Sequence, residues 1–337
     1  MSIFSRYGIY LALLLLVAVF SLTTDAFLTQ ANLVNILRQV AIIGICAVGM
    51  TFIIITGGID LSVGSMIGLA GMICATLVSR EFNPLVAVLA TMACGGVLGL
   101  ITGAVINEIA IPPLIATLGM MTILRGLAYV ISGGLPIYGI PESIKVLGQG
   151  SVAGVPVPVI FMLAILLAGW VVLTKTAFGR QVYGVGGNEE ASRLSGISVK
   201  AVKYKVYLLG YLLATFAGIV LMARVNSGQP RGGTNYELDI ITAVVLGGVS
   251  IMGGVGSLPR VFAGVLIMGV LANGMVLLNI DEFVQWVVKG VVLLAAVALD
   301  RLAHRLPGAR AHAPADGKPA RAIDAPPAQP SAGAGGG

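Results

Sequence analysis

Residues 175–205 read K-T-A-F-G-R-Q-V-Y-G-V-G-G-N-E-E-A-S-R-L-S-G-I-S-V-K-A-V-K-Y-K, the one long charged interruption in a chain that is otherwise mostly apolar. Lys175, Arg180, Arg193, Lys200, Lys203 and Lys205 stand there against Glu189 and Glu190. A basic loop between hydrophobic segments stays on the cytoplasmic side of a membrane, so this stretch sets the orientation expected for everything around it. At its centre, Asn188 precedes two glutamates and Ser195-Gly196 closes the run. A capping amide, acidic residues in the first turn and a glycine stop predict a short helix displayed on that loop.

The flanks are those of an integral membrane protein. Hydrophobic residues make up 57% of the 337 and charged residues 10%, with mean hydropathy +0.99, against the roughly 25% charge of soluble domains. The apolar runs are Gly8–Thr24, Val40–Ile59, Leu61–Ser79, Phe82–Asn107, Leu114–Ser132, Val157–Thr174, Val206–Ala223, Ile240–Ser257, Val261–Asn279 and Phe283–Leu299. Each approaches the ~20 residues that cross a bilayer, so the expected fold is all-α and polytopic, with about ten transmembrane helices. The first run has the length of a signal peptide but no small-x-small cleavage site before Asp25, and is expected to be retained as a span. Six runs precede the basic loop and four follow it. Both counts are even, which places the N-terminus, the loop and the C-terminus together on the cytoplasmic side. Gly133–Val155, rich in Gly and Pro, is expected as an extracytoplasmic loop. The chain divides into a membrane domain, residues 1–300, and an Ala/Pro/Gly-rich cytoplasmic tail, residues 301–337, whose composition predicts disorder.

The net charge of +6, from 20 Lys+Arg and 14 Asp+Glu, sits mainly in the central loop and the tail. It reports topology and implies no nucleic-acid partner. Cys46, Cys74 and Cys94 lie within apolar runs without metal-ligand spacing, and both histidines, His304 and His312, lie beyond the last span. No span therefore supplies a histidine ligand or proton relay. The sequence has no G-x-x-x-x-G-K-[ST] phosphate loop and no H-E-x-x-H, so neither ATP hydrolysis nor zinc chemistry is expected of this chain. No metal or cofactor is expected in it.

Two glycine-broken stretches echo each other: Thr56–Ser65, T-G-G-I-D-L-S-V-G-S, and Leu246–Ser257, L-G-G-V-S-I-M-G-G-V-G-S. Irregular backbone at membrane depth is tolerated where it packs in protein or lines a pathway. Asp60, Ser62, Gly64, Gly247 and Gly248 are therefore candidate pathway residues, together with Arg125, a cation inside an apolar run. Each also has a plainer reading: interface residue, snorkelling cation or close-packing glycine. Lys289 is expected to snorkel or to pair with Asp281 or Glu282.

These motifs carry a resemblance. Thr56–Ser65, I-A-T-L-G-M-M-T-I-L-R-G over 115–126, F-G-R-Q-V-Y-G-V-G-G-N-E-E-A-S-R-L-S-G-I over 178–197, Q-P-R-G-G-T-N-Y-E-L-D-I-I-T-A-V-V-L over 229–246 and the following G-G-V-S-I-M-G-G resemble, in order, the permease subunits of ribose-type ABC sugar importers. The sequence departs from the ribose members at Gly254–Ser257, G-V-G-S in place of a basic turn, and in its long tail. The resemblance implies type II importer architecture in the bacterial inner membrane, and a second permease subunit beside this one. It implies a cytoplasmic ATP-binding subunit that holds ATP and Mg, a periplasmic sugar-binding protein, and a monosaccharide substrate. It also assigns the ATPase-coupling loop to Gly187, Asn188, Glu189, Glu190, Ala191, Ser192, Arg193, Leu194, Ser195 and Gly196. The competing expectation is an ion-coupled secondary transporter that uses Asp60, with Asp239 as a second candidate, as an intramembrane carboxylate.

Overall fold

A computed structural model describes residues 3–305. In chain order the helices are α1 (Ile3–Thr23), α2 (Gln30–Ile55), α3 (Val63–Ser79), α4 (Pro84–Asn107), α5 (Pro113–Ser132), α6 (Glu142–Gln149), α7 (Val157–Lys175), α8 (Ala177–Gly187), α9 (Glu189–Leu194), α10 (Val199–Val225), α11 (Tyr236–Leu246), α12 (Leu258–Leu277) and α13 (Glu282–Arg305). The fold is all-α and the protein is a multi-pass membrane protein. Seven of these helices, α2, α4, α5, α7, α10, α12 and α13, are long and apolar enough to cross a bilayer, and α1 and α3 contribute shorter apolar helices.

Several boundaries differ from those expected, for local reasons. α2 begins at Gln30 because Thr29 caps it, its hydroxyl accepting from Asn32 N. The run Ile240–Ser257 is not one helix. α11 occupies its first half, and the chain then turns through glycines as far as Ser257. The Gly/Pro-rich loop contains α6 and a two-residue antiparallel pair, β1 (Ser151–Val152) and β2 (Val155–Pro156), closed by Gly154 at φ +82°. α13 continues through Arg305, past the expected start of the tail at 301; residues 306–337 lie outside the described residues.

α10 is the post on which the bundle is built, packing against α2, α3 and α4. Membrane helices gain little hydrophobic energy from one another, so small residues that allow close approach decide where they touch. On α4, Gly95, Gly99 and Gly103 recur every four residues and receive Thr215, Tyr211 and Tyr204 of α10. On its other sides α10 offers Gly210 to Ile53 of α2, and Gly218 to the backbone carbonyl of Ile67 in α3. α12 is fixed to α2 by a reciprocal amide pair, Asn32 Nδ2 to Asn273 Oδ1 at 2.9 Å and Asn273 Nδ2 to Asn32 Oδ1 at 2.8 Å. The outer faces of α4, α5, α7 and α13 expose Leu89, Ile123, Leu167 and Val287, the surface a lipid environment requires.

A methyl group at Gly218 would strike the Ile67 carbonyl, which cannot move without shifting α3. Gly218→Ala is expected to destabilise the detergent-solubilised protein by about 1–3 kcal/mol, read as a lower thermal midpoint for loss of the monodisperse species. Gly119→Ala, on α5 with nothing within 4 Å of the added carbon, is expected to leave the midpoint unchanged or to raise it slightly.

Candidate functional site

The charged interruption folds into two helices where the sequence suggested one. Thr176 caps α8 by accepting from Gly179 N at 3.2 Å, and Asn188 Oδ1 caps α9 by accepting from Ala191 N at 2.9 Å. α9 stops as expected at Gly196, whose φ of +83° lets Ile197 N return to the Ser192 carbonyl at 3.0 Å. Lys200, Lys203 and Lys205 belong to the first turns of α10 rather than to a loop. From there Lys203 reaches Glu189 at 2.8 Å, and Lys200 reaches Glu108 past the end of α4 at 2.6 Å. Glu190 pairs within α9 with Arg193 at 2.7 Å. The Lys200 ammonium bond holds the Glu108 carboxyl below its ordinary range, and the Glu190 bond raises the Arg193 guanidinium. Charge thus ties the short helix and the α4 end to the central post, while Leu194 is left 79% exposed at the helix end.

Beneath this helix the two echoing glycine stretches meet. Gly254 N donates to the Ile55 carbonyl at 2.8 Å, joining the end of α2 to the turn after α11. Gly186 lies against both of those groups, and Gly187 against Gly254, so closely that a Cβ on Gly186 would overlap the Ile55 carbonyl. Gly57, Gly253 and Gly254 hold φ of +79°, +85° and +74°. Only glycine adopts these turns freely, and the result is backbone packed on backbone with no side chain between. Tyr183 OH adds a bond to the Gly256 carbonyl at 2.8 Å. A cleft of 330 Å³ runs along this junction past Thr56, Gly58, Asn188, Tyr207 and Met252. Met252 and Val255, in the turn where the sequence departs from the ribose pattern, are 62% and 54% exposed.

Asp60 and Ser62 are brought together and sealed. The Asp60 Oδ1 accepts from Ser62 N at 2.8 Å and from Ser62 Oγ at 2.5 Å. With its proton given to the carboxylate, Ser62 Oγ accepts from Tyr211 OH, 2.6 Å away, and Thr102 Oγ1 stands 2.8 Å from the same phenol oxygen. All four residues are buried. Asp60 therefore closes the break between α2 and α3, next to the N-terminus of α3, where a negative charge is favoured.

Arg125 is a clamp rather than a snorkelling residue. Its Nη1 donates to the carbonyls of Pro230 and Gly232 at 3.0 and 2.9 Å, tying the α10–α11 loop to α5 where both lie over Gly68 of α3. Gly64 lies under Glu237 and the Gly233 carbonyl of that loop. Gly247 packs on the α12 backbone at Val261, and Gly248 turns the chain at φ +78°. These two stand with the glycine junction and the α12 contact, apart from Arg125. Lys289 pairs with neither Asp281 nor Glu282. It reaches across from α13 to Asp239 of α11 at 2.7 Å, because Asp281 instead caps its own helix by accepting from Phe283 N. No cluster of three metal-binding side chains occurs among the described residues.

Sequence reasoning missed the second cleft, of 430 Å³, where α3, α5 and α11 meet. Ser65, Thr122, Arg125, Tyr129, Thr234 and Glu237 line it. All but Tyr129 lie inside the quoted motifs, but only the fold brings them to one place. The signal available was an acidic residue, Glu237, next to an apolar run.

Residues 32–297 match the family model described as branched-chain amino acid transport system / permease component. Over 294 residues the chain is 47% identical to the ribose import permease protein RbsC of Escherichia coli (strain K12), covering 86% of this chain and 92% of that one. It is 45% identical over 302 residues to the ribose import permease protein RbsC of Bacillus subtilis (strain 168), covering 89% and 94%. Over 299 residues it is 40% identical to the L-arabinose transport system permease protein AraH of Escherichia coli (strain K12), covering 89% and 91%. No solved structure gives a significant match.

α9 has six residues, far short of the ~12–15 at which a helix approaches stability on its own, so its cap matters. Asn188→Ala is expected to cost about 1 kcal/mol locally. Hydrogen exchange of the α9 amides should then run roughly fivefold faster, with the α10 amides unchanged.

Proposed function

The chain belongs to the family of permease subunits of ribose-type ABC sugar importers, and on that premise we propose that it carries a monosaccharide across the bacterial inner membrane by alternating access. It is a transport subunit and not an enzyme. The substrate class rests on the relatives, whose names specify ribose and arabinose, although the matching family model carries a branched-chain amino acid name. A second permease subunit completes the pathway, a periplasmic binding protein delivers the sugar, and a cytoplasmic ATP-binding subunit holds ATP and Mg. The chain's lack of any phosphate-binding loop supports that division of labour. Residues 1–300 are the membrane domain and 301–337 a cytoplasmic tail. Both termini and the 175–205 segment share the cytoplasmic side, in line with the positive-inside rule.

The observation that carries the coupling mechanism is the glycine junction. A push on Gly187–Gly196 reaches Gly186 and Gly187, and passes at once to the end of α2 and the turn after α11 through backbone contacts. No flexible side chain lies between to absorb the displacement. The ion pairs Glu189–Lys203 and Glu108–Lys200 make α9, the α4 end and α10 move together. Exposed Leu194 supplies the apolar anchor in the partner's groove, with Glu189, Glu190 and Arg193 setting its orientation. Asp60, Ser62, Gly64, Arg125, Gly247 and Gly248 then act as the hinges and clamps of the pathway wall. No observation favours ion coupling: Asp60 is engaged by Ser62, and Asp239 by Lys289.

Leu194→Asp is expected to abolish both ATP-dependent sugar uptake and co-purification of the ATP-binding subunit, with membrane insertion intact. Persistence of both activities would remove α9 from the coupling role. Asp60→Asn, which keeps an oxygen to accept from Ser62 N, is expected to retain most uptake. An ion-coupled carrier would lose it.

A further inference from the structure

α10 serves as a depth gauge for the membrane domain. Its 27 residues span about 40 Å at 1.5 Å per residue, and its last lysine is Lys205. Tyr211, bonded to Ser62, lies about 9 Å beyond that lysine along the axis, and Gly218, on Ile67, about 20 Å beyond. Ser65 sits on α3 between Ser62 and Ile67, and so at the middle of the bilayer. The 430 Å³ cleft that it lines with Glu237 thus lies at membrane depth, mostly apolar with a few polar groups. Its volume falls within the ~300–1,000 Å³ typical of small-molecule sites.

Two side-chain oxygens of residues that line this cleft are covered and have no partner. Ser65 is 1% exposed and its Oγ makes no hydrogen bond, and Glu237 Oε2 is likewise buried and unbonded. The Arg125 Nη1 is given to Pro230 and Gly232, and its charge acts on Glu237 without a hydrogen bond to Oε2. Buried polar atoms without partners are rare, and each calls for a physical reason. A carboxylate oxygen and a hydroxyl beside the Tyr129 ring offer acceptor, donor and apolar face together, the set a sugar's hydroxyls and C–H surface take up.

We propose that Ser65 and Glu237 form a transit station for the monosaccharide, hydrogen-bonding its hydroxyls as it crosses the middle of the membrane. This rests on the reading of the chain as a sugar permease. The station is weak by construction, since two unpaired oxygens bind a hydroxyl without enclosing it.

The test uses the complete transporter in proteoliposomes, with D-ribose, L-arabinose and their 2-deoxy analogues at saturating binding protein. Ser65→Ala and Glu237→Gln are each expected to slow pentose uptake about tenfold. They should leave ATP hydrolysis stimulated by the loaded binding protein unchanged, and should narrow the discrimination between pentose and deoxy sugar. Tyr129→Ala, which removes the ring from a side chain already 36% exposed, is expected to slow uptake of pentose and deoxy sugar alike, while Tyr129→Phe, which keeps the ring, is expected to leave both unchanged. Unaltered uptake and discrimination in the Ser65→Ala and Glu237→Gln variants that assemble would overturn the station and leave the permease reading standing. Absence of ATP-driven uptake of either sugar by the unmodified transporter would remove the permease reading, and the station with it.

Discussion

The constraint on which the structure depends is that backbone inside a bilayer must find its hydrogen bonds within the protein. This chain breaks its helices twice at the same place, after Ile55 and after Leu246. The breaks are tolerable because they face each other. Gly254 N satisfies the Ile55 carbonyl, and Asp60 satisfies the amide of Ser62. Glycine is required for geometric and conformational reasons at once, since Gly253 and Gly254 need positive φ and Gly186 needs an absent side chain. One solution of the hydrogen-bond problem therefore also creates a stiff mechanical junction under the charged segment.

That junction matters only if something rigid stands beside it, and α10 is that element. Its contacts alternate between glycine ladders and buried phenols, so position along it fixes the depth of everything else. Tyr211 shows the economy of the arrangement. Its Cβ packs against Gly99 of α4 while its hydroxyl reaches the α2–α3 break through Ser62. A shift of α10 along its axis would separate both contacts together, which couples the basic end of the bundle to its centre.

How much of this was legible in the sequence follows from the range of the interactions involved. Apolar runs and caps are local, so the all-α membrane fold, the Asn188 cap and the Gly196 stop could be read directly. α8 was missed because its four glycines argue against a helix, and packing overrode that propensity. The break inside Ile240–Ser257 was masked by uniform hydropathy, although the glycines that cause it were visible. Partnerships at long range were out of reach. Lys289 has acidic neighbours at 281 and 282, and nothing local says that Asp281 is occupied as a cap while Asp239, fifty residues away, takes the lysine. The candidate pathway residues divide in the same way, with Asp60 and Ser62 joined by a local turn, and Arg125 tied to carbonyls 105 and 107 residues distant.

The basic end of the molecule finally distinguishes charge from apolar surface as sources of docking energy. Its ion pairs are mostly exposed, and such pairs contribute only ~0–1 kcal/mol each and weaken with salt. Glu190 and Arg193 already satisfy each other within α9, so a partner that engages them exchanges one charged contact for another. Leu194, Met252 and Val255 have no such alternative. Burying a leucine contributes about 1.5–3 kcal/mol; Leu194 lies on α9, next in the chain to α8, and Met252 and Val255 lie in the turn that meets α8 at the glycine junction. Under the proposed docking, affinity at this face would be set by apolar contacts, and orientation by the glutamates. On the proposed coupling, the energy of docking would enter the membrane domain where its backbone is least able to yield.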